Sequence, residues 1–488
     1  MKVVFFTLLL CYCCLNLKAQ QDISYSPEHL YPADTLRKDL AFLKSVLEEA
    51  HPSLYRYTPK DSLEKYFAEA DGKLTGPMTD VAFWKIAAPL VSAIRSGHTV
   101  LMPSNAFVNW CNNQMIDRMP LSVLEKNGHI YAASFPGIPK PLFPGAEIMS
   151  IDGHPAAMIL AELQKLLPTE GYSEQFHSEL MESNYFDRFY GLLWGFKPQY
   201  NIIYKDSAGL AQTTILKAKK AIYGTSLDQN KAMRNGKIDD IKESVGVTYC
   251  EGLPATAMLK ISQFAYVNYY ESFDENFFKQ LKADKIKHLI IDIRGNGGGS
   301  MAIGTDIMQY LIKGFCSQTD GVTARARKFS FASNIIKDGS DDITVFRLIN
   351  VGHHKYAWKN ADGKCYSYPE YNFNQDVYLL VDKGTFSAAA LFAANLKSQR
   401  KITVLGEETG GGEAGTDGWG FAIVTLPQTH LLLQLPEFWV KSTFEHKNNG
   451  HGVIPDIVVS PTIADRVNNN DVVLKKTFEV IRSKTKPN

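Results

Sequence analysis

The sequence lacks several features that would point to particular protein classes. After residue 20 its cysteines are scattered and contain no C-x-x-C pair (Cys111, Cys250, Cys316 and Cys365), so a redox or zinc motif of that type is excluded. Lysine and arginine total 52 against 51 aspartates and glutamates, a net charge of +1. Because there is also no basic stripe, nucleic acid is not an expected partner. The sequence also contains no internal repeats and no low-complexity tracts, so it does not have the pattern of a repeat protein.

Long apolar runs are missing except at the N-terminus. Lys2 precedes an apolar run from Val3 to Leu17, and Ala19 stands before Gln20. This pattern predicts a secretory signal peptide over residues 1–19, cleaved after Ala19, and therefore a periplasmic or secreted protein. The run is short for a membrane anchor, which is the alternative. The cysteines inside it (Cys11, Cys13 and Cys14) lack the small preceding residues of a lipidation site.

An exported chain could pair some of the cysteines that follow the signal peptide, although free buried thiols are equally consistent with the pattern. At 488 residues the chain is too long for one core and predicts two or three domains. Hydrophobic residues make up 45% of it, as is ordinary for a globular protein.

The part after the signal peptide divides into regions of different periodicity. Residues 20–118 predict a helical region, since leucines recur at three- and four-residue intervals (Leu36, Leu40, Leu43 and Leu47). A further helix is expected from Phe83 to Ile94. Residues 119–218 predict short strands around one helix, and residues 219–250 are polar and lysine-rich, which indicates a linker.

Residues 251–488 predict a larger α/β region. Within it, residues 317–375 show no clear periodicity and predict an insertion near the site. The adjacent His353 and His354 lie in this insertion without an acidic partner at metal-ligand spacing, so neither a metal nor a cofactor is expected.

The stretch from residue 377 to 412 carries the clearest candidate for chemistry. An apolar, β-prone run from Val377 to Val381 predicts a buried strand, and a turn leads to Ser387 and the small residues after it. Alanine and leucine favour a helix there, and serine is a favoured N-cap. Ser387 is therefore expected where a strand passes into a helix, with its hydroxyl free of the backbone. The alternative is a capping serine before a core helix.

Two glycine-rich stretches flank this candidate in sequence. Residues 289–299, LIIDIRGNGGG, predict a strand followed by a glycine loop, and a helix is expected from Met301 to Lys313. Backbone N–H groups of such a loop can converge on a negative atom, as in an oxyanion hole. Residues 450–459, GHGVIPDIVV, contain a GxGVxPD pattern near the end of the chain.

Taken together, DIRGNGGG, TFSAAA and GxGVxPD resemble the motifs of the S41 serine peptidases, in the order expected for that family. The family includes the C-terminal processing (tail-specific) proteases and the tricorn core, and the resemblance covers about residues 30 to 465. It implies a multi-domain α/β protein with an N-terminal helical region, a PDZ-like β-rich domain at 119–218 and a crotonase/ClpP-like catalytic core at 251–488. The segment PGAEIMSIDGHPAAMILAEL resembles the second half of a PDZ domain, which binds peptides as an added strand.

The resemblance also implies which residues act. Processing proteases use a lysine as base, but Gly412 stands at the matching place here. The tricorn-like branch uses a histidine from a G-H-T turn, a role that falls on His98. Its orienting glutamate corresponds to Glu445, whose alternative is a solvated surface carboxylate. The oxyanion donors by resemblance are the backbone N–H groups of Gly297 or Gly298 and of Ala388.

The sequence therefore predicts an exported serine peptidase that acts on proteins or peptides without a cofactor. An unperturbed imidazole titrates near neutrality, which suits a general base. Two other classes stay open. One is a catalytically inactive relative that binds peptides, and the other is a crotonase-like acyl hydrolase.

Overall fold

A computed structural model of the chain describes residues 25–133, 142–224, 245–264, 269–336, 348–352, 355–358, 364–443 and 450–485. The predicted signal peptide, His353, His354 and Glu445 lie outside these ranges. No helix within them is long and apolar enough to cross a membrane. The same ranges contain no group of three or more histidine, cysteine or acidic side chains that could hold a metal ion.

The N-terminal region is helical, as the leucine spacing predicts. Its elements are α1 (Ala33–Ala50), α2 (Lys60–Gly72), α3 (Asp80–Ser92), β1 (Val100–Met102) and α4 (Asn105–Gln114). The four periodic leucines of α1 are all buried. Helix α3 begins earlier than expected because the Thr79 hydroxyl caps it by accepting the N–H of Ala82.

Residues 119–218 fold around a six-stranded antiparallel sheet, with more helix than the sequence indicates. The elements from residue 116 on are β2 (Ile116–Arg118), β3 (Val123–Lys126), β4 (His129–Ala132), β5 (Glu147–Ile151), β6 (His154–Pro155), α5 (Ala156–Leu166), α6 (Gln175–Leu180), a π-helical turn (Met181–Tyr185), α7 (Phe186–Trp194), β7 (Gln199–Lys205), β8 (Ala211–Lys217) and β9 (Lys219–Ala221). The expected hairpin is present as β7 and β8. The expectation of one helix was wrong, since three helices and a π-helical turn pack on this sheet. The PDZ likeness stays a prediction.

The expected catalytic region is built on a second six-stranded sheet with strand order β10-β11-β12-β18-β19-β22. Its elements are β10 (Val245–Tyr249), β11 (Thr256–Ile261), α8 (Tyr269–Ala283), β12 (His288–Asp292), α9 (Met301–Leu311), β18 (Asp376–Val381), α10 (Ala388–Gln399), β19 (Thr403–Gly406), β22 (Ile457–Val458), α11 (Ile463–Val467) and α12 (Val472–Thr485). Within this sheet, neighbouring strands pair in parallel along the order β11, β12, β18, β19 and β22, and β10 is antiparallel to β11.

Alternate residues of the central strands face two different cores, which explains their continuous apolar sequence. Leu289 and Leu379 face helices α8, α9 and α10. Ile290 and Tyr378 face the opposite side, where α12 covers the sheet. The carboxyl ends of β12 and β18 lie side by side, so the glycine loop and the turn that carries Ser387 meet at one edge.

A third sheet joins the N-terminal helical region to the C-terminal half of the chain. Its strands are β1, β14 (Gly321–Ala324), β15 (Leu348–Gly352), β16 (Lys355–Trp358), β20 (Gly415–Thr425) and β21 (Leu432–Lys441). Strand β1 pairs with β21 through Val100 and Gln434. This pairing brings the turn that carries His98 to the catalytic region.

Residues 219–250 and 317–375 contain more regular structure than the sequence indicates. Strand β10 of the expected linker extends the catalytic sheet, because Val245 pairs with Ile261. In the expected insertion, β13 (Phe315–Ser317) pairs with β17 (Lys364–Tyr366), and Cys316 lies opposite Cys365. These two cysteines form a disulfide, whereas Cys111 and Cys250 are free.

Candidate active site

Ser387 lies at the tip of the turn between β18 and α10, as the sequence predicts. The backbone of Ser387 has φ 53° and ψ −125°, a conformation that a residue with a side chain rarely adopts. Its hydroxyl makes no capping bond to the helix. The alternative of a serine that caps the helix is therefore wrong, and the side chain is free to face the site.

The turn is fixed to the glycine loop by several hydrogen bonds. Oδ1 of Asp382 accepts the N–H groups of Gly295 at 2.8 Å and of Gly384 at 3.0 Å. The Thr385 hydroxyl donates to the Ile293 carbonyl at 3.0 Å, and the N–H of Phe386 donates to the Asn296 carbonyl at 3.0 Å. The two motifs therefore form one interlocked unit beneath the serine.

The glycine loop places its backbone directly against the nucleophile. A β-carbon on Gly298 would lie 2.8 Å from Cβ of Ser387, so a side chain is excluded there. The N–H of Gly298 donates to Oδ1 of Asn296 at 2.9 Å and is already engaged. Among the described residues, the N–H groups of Gly297 and Ala388 have no recorded acceptor, so these two suit a developing oxyanion better.

The expected base reaches the serine from the far N-terminal region. Nε2 of His98 lies 3.2 Å from Oγ of Ser387, within hydrogen-bond distance. The imidazole packs against the ring of Phe386 on one side and stacks with Phe421, with centroids at 4.7 and 5.7 Å. The His98 carbonyl accepts the side-chain amide of Gln434 at 2.9 Å. These contacts hold both the ring and its backbone.

Burial changes the titration of this histidine. His98 is 0% exposed, and the loss of hydration lowers its pKa to about 3. The resting imidazole is therefore neutral over the physiological range. The near-neutral titration expected of an unperturbed histidine does not apply, because the charged form has no water to solvate it.

No lysine occupies the position of the processing-protease base. Gly412 contacts Glu170, and a β-carbon on Gly412 would lie 2.9 Å from the Gly415 carbonyl oxygen and 3.3 Å from Cγ of Glu170. Lys383 precedes the serine, but its Nζ bonds to Ser178 at 2.8 Å and pairs with Glu182 at 2.6 Å. Among the described residues, these contacts leave His98 as the candidate base within reach of Ser387.

Comparison with known proteins matches the catalytic region to a single family model. Residues 255–459 match the model of peptidase family S41. This part of the chain therefore belongs to peptidase family S41. No curated protein is significantly similar to it in sequence.

The chain is similar to solved structures at low sequence identity. A serine-to-alanine mutant of CPAF has a TM-score of 0.64 at 15% identity, covering 92% of this chain and 98% of that one. Mature CPAF with lactacystin has a TM-score of 0.61 at 15% identity, covering 92% of this chain and 99% of that one. The photosystem II D1 C-terminal processing protease matches at 14% identity with a TM-score of 0.41, over 86% of this chain and 92% of that one. The two CPAF matches show a shared fold.

Sequence reasoning missed two buried carboxyl groups behind the histidine of the peptidase. Glu170 comes from the loop before α6, and its Oε2 lies 3.9 Å from Nδ1 of His98. Asp417 lies in β20 and accepts the hydroxyl of Ser53 at 2.5 Å. Both side chains are 0% exposed. Neither belongs to a recognisable motif, and their sequence separation from His98 hides the contact.

The two carboxyl groups influence each other's ionisation. Burial first, and the nearby Asp417 second, raise the pKa of Glu170 well above its ordinary value. Burial also raises the pKa of Asp417 to about 6, against hydrogen bonds from Ser53 and Ser96 that lower it. Arg56 lowers the pKa of both carboxyl groups. The pair is therefore harder to ionise than exposed carboxyl groups are.

Strand β20 covers the serine and histidine of the peptidase. The pairing of β20 with β21 shifts register between Thr416 and Trp419, and Gly418 in this bulge approaches the site. A β-carbon on Gly418 would lie 2.8 Å from Oγ of Ser387 and 3.1 Å from Nε2 of His98. Only a glycine leaves room here, and Ser387 is 2% exposed beneath it.

The GxGVxPD motif at residues 450–456 is hydrogen-bonded to the segment before Gly412. The N–H of Gly452 donates to Glu408 at 2.8 Å, and the N–H of Val453 donates to the Thr409 hydroxyl at 2.7 Å. These bonds hold the segment that contains Gly412. Glu445, the expected orienting residue, lies outside the described residues just before this motif.

Proposed function

We propose that this peptidase hydrolyses peptide bonds of exported proteins or peptides with Ser387 as nucleophile and His98 as base. The observation that carries the proposal is the 3.2 Å approach of His98 Nε2 to Ser387 Oγ. The two residues are 289 positions apart in sequence. They meet at a strained serine beside backbone donors that have no acceptor among the described residues. This combination is the arrangement that nucleophilic catalysis by serine needs.

The proposed reaction proceeds in two steps. Nε2 of His98 takes the proton of Ser387 as Oγ bonds to the scissile carbonyl carbon, and the N–H groups of Gly297 and Ala388 donate to the resulting oxyanion. The histidine then gives this proton to the leaving amine as the peptide C–N bond breaks. A water molecule, deprotonated by the same imidazole, hydrolyses the acyl-enzyme and restores the serine.

Export is proposed from two independent features. The N-terminal residues have the pattern of a secretory signal, and the disulfide between Cys316 and Cys365 is of the kind that persists in oxidising compartments. The N-terminal sequence of the native protein tests this part. A start at Gln20 supports export, and an intact Met1 in a cytosolic fraction contradicts it.

Two substitutions test the chemistry. Ser387→Ala should abolish labelling by a fluorophosphonate probe and cleavage of a peptide library, because the nucleophile is lost. His98→Ala should slow both by about 10³-fold or more, since the serine loses its base. Mass spectrometry of the library and of the labelled protein provides the measurement, and both variants should keep their melting temperatures within a few degrees.

A matched control is Ser442→Ala, because Ser442 is a buried serine like Ser387 but lies directly after β21. This control should label at the wild-type rate. Normal labelling of Ser387→Ala, or a normal rate for His98→Ala, would contradict the proposal. A wild-type protein that binds library peptides without cleaving them would instead indicate an inactive peptide-binding protein.

A further inference from the structure

A large groove lies outside the site described above, between the end of α1 and strands β14 and β16 of the third sheet. Pro52, Thr323 and Tyr356 line it together with a set of charged side chains. Its volume is about 1130 Å³, whereas pockets that hold small molecules measure roughly 300–1,000 Å³. A groove of this size accommodates several residues of an extended chain.

The charge of this groove is mainly positive. Four of its side chains are cationic and two are carboxylates (Arg325, Arg327, Lys328, Lys355, Glu48 and Glu49). Both carboxylates have other partners, since the N–H of Ser330 donates to Glu49 at 2.6 Å and the Tyr55 hydroxyl donates to Glu48 at 3.4 Å. In the part of the chain that the structure describes, Arg325 and Lys355 form no ion pair. The groove therefore presents cations without matching anions.

The pairing of β14 with β16 places two of these cations opposite each other. Thr323 pairs with Ala357, and Ala324 pairs with Tyr356. The strands are antiparallel, so the next opposing positions in this register are Arg325 and Lys355. Like charges directly opposite each other on a sheet are destabilising. An anion bound between these two side chains would remove this repulsion, which indicates a negatively charged ligand.

The surroundings of the two cations favour an acidic peptide as this ligand. Arg325 is half-buried and its guanidinium lies 5.7 Å from the centroid of the Tyr55 ring. A guanidinium fixed in this way suits the two oxygens of a carboxylate. Ile349 and Val351 of the edge strand β15 are 48% and 51% exposed, and Ile349 pairs with Ala357. Apolar side chains and an open strand edge beside the cations suit an extended peptide better than a polyphosphate.

The groove adjoins strand β20, which covers Ser387. Pro52 in the groove wall is followed by Ser53, whose hydroxyl donates to Asp417 of β20 at 2.5 Å. Strand β14 pairs with β21, and β21 pairs with β20. Because neighbouring strands are about 4.8 Å apart, β14 and β16 lie about 10–15 Å from β20. An extended chain advances about 3.3–3.6 Å per residue, so roughly three to five residues span this distance.

We propose that this groove binds an acidic, extended segment of the substrate roughly three to five residues from the scissile bond. Arg325 and Lys355 contact its carboxylates. The inference rests on the peptidase function proposed above and gives that enzyme a preference among peptides. The net charge of the whole chain is only +1, so the molecule has no strong general attraction for acidic peptides. The preference is therefore a property of the groove.

The first test measures binding and requires no turnover. The full-length protein carrying Ser387→Ala is titrated with a short fluorescein-labelled peptide that contains glutamates and apolar residues, and with its glutamine counterpart. Both peptides are amidated at the C-terminus, so they differ only in side-chain charge. We expect the glutamate peptide to bind about 10-fold more tightly, as measured by fluorescence anisotropy. This difference should shrink at high ionic strength, because salt screens exposed charges.

Substitutions in the groove locate the preference. Arg325→Gln combined with Lys355→Gln should abolish it, because the glutamate peptide loses its cationic contacts. The matched control is Lys475→Gln combined with Lys476→Gln, which makes the same change in net charge at exposed lysines of α12. This control should keep the preference. Arg325→Glu combined with Lys355→Glu should make a lysine version of the peptide the tighter ligand, a reversal that a merely structural effect would not produce.

Steady-state cleavage by the enzyme with Ser387 intact provides the second test. The kcat/KM for a glutamate-containing substrate should fall about 10-fold when Arg325 and Lys355 are both changed to glutamine, mainly through a higher KM. Equal binding of the glutamate and glutamine peptides, or a preference that survives this double substitution, would overturn the inference and leave the proposed function intact.

Two further outcomes separate the inference from its alternatives. Tighter binding of a single-stranded oligonucleotide than of a glutamate peptide of equal charge would overturn the assignment to peptides. Absence of fluorophosphonate labelling and cleavage by the wild type would instead contradict the proposed function, and with it the role of the groove in substrate choice.

Discussion

The two halves of the active site are built in different ways. The nucleophile half consists of adjacent strands β12 and β18 with their loops, and Asp382, Thr385 and Asn296 join these loops by hydrogen bonds. The base half combines His98 from the N-terminal region, Glu170 from the loop before α6 and Asp417 from β20. The elements of the first half are each predicted by local sequence patterns, whereas the second half depends on long-range packing.

This difference assigns different physical roles to the two halves. The hydrogen-bonded turn holds Ser387 in a strained backbone conformation. This strain lowers the stability of the nucleophile half, and the hydrogen bonds of the turn offset it. The base half contains carboxyl oxygens of Glu170 and Asp417 that lack recorded partners among the described residues. Substitutions in the hydrogen-bonded turn that supports Ser387 should therefore reduce stability, and substitutions around His98 should mainly reduce turnover.

The largest expected effect comes from Gly418, where the two halves touch. In Gly418→Ala the new methyl group would lie 2.8 Å from Oγ of Ser387, so the serine and histidine must separate. We expect fluorophosphonate labelling to slow by about 10³-fold, close to the loss of the base. Gly418 has no positive φ, so the alanine adds no backbone strain and the melting temperature should change little.

Gly246→Ala is the control for this prediction, because a β-carbon at Gly246 meets no atom within 4 Å. It should label at the wild-type rate. If Gly418→Ala also labelled normally, strand β20 would have to move away from the site in solution, and the two halves would be less closely joined than the structure indicates.

A smaller effect, on stability, is expected in the nucleophile half. Thr385→Val keeps the side-chain shape but removes the hydroxyl that donates to Ile293 and accepts the N–H of Asp382. Thr385 is 0% exposed, so the unpaired backbone groups should lower the free energy of unfolding by about 1–3 kcal/mol. Chemical denaturation of the two proteins measures this difference.

Thr477→Val serves as the comparison, since Thr477 is equally buried but its hydroxyl only supplements a helix, donating to the Val473 carbonyl at 2.8 Å. It should cost less than Thr385→Val. An equal or larger loss at Thr477 would show that the turn beneath Ser387 is not specially dependent on its hydrogen bonds.

The sequence by itself determined much of the nucleophile half. Apolar runs predicted β12 and β18 because strands buried on both faces must be continuously apolar. The three motifs indicated the family. Because Gly412 stands in place of the lysine, they also predicted His98 as the base. The leucine spacing of α1 also predicted its buried face. These features depend on residues close together in the chain, where pattern and structure correspond directly.

Only the tertiary structure decided the environment of the base. Pairing of Val100 with Gln434 brings the His98 turn to Ser387, and no local pattern encodes that register. Glu170 lies in a region predicted as PDZ-like, and Asp417 lies in a strand bulge, so neither carries a motif. The disulfide between Cys316 and Cys365 likewise depends on the pairing of β13 with β17, which places the two cysteines opposite each other. Contacts between residues far apart in sequence depend on how separate elements pack, which single-residue patterns do not specify.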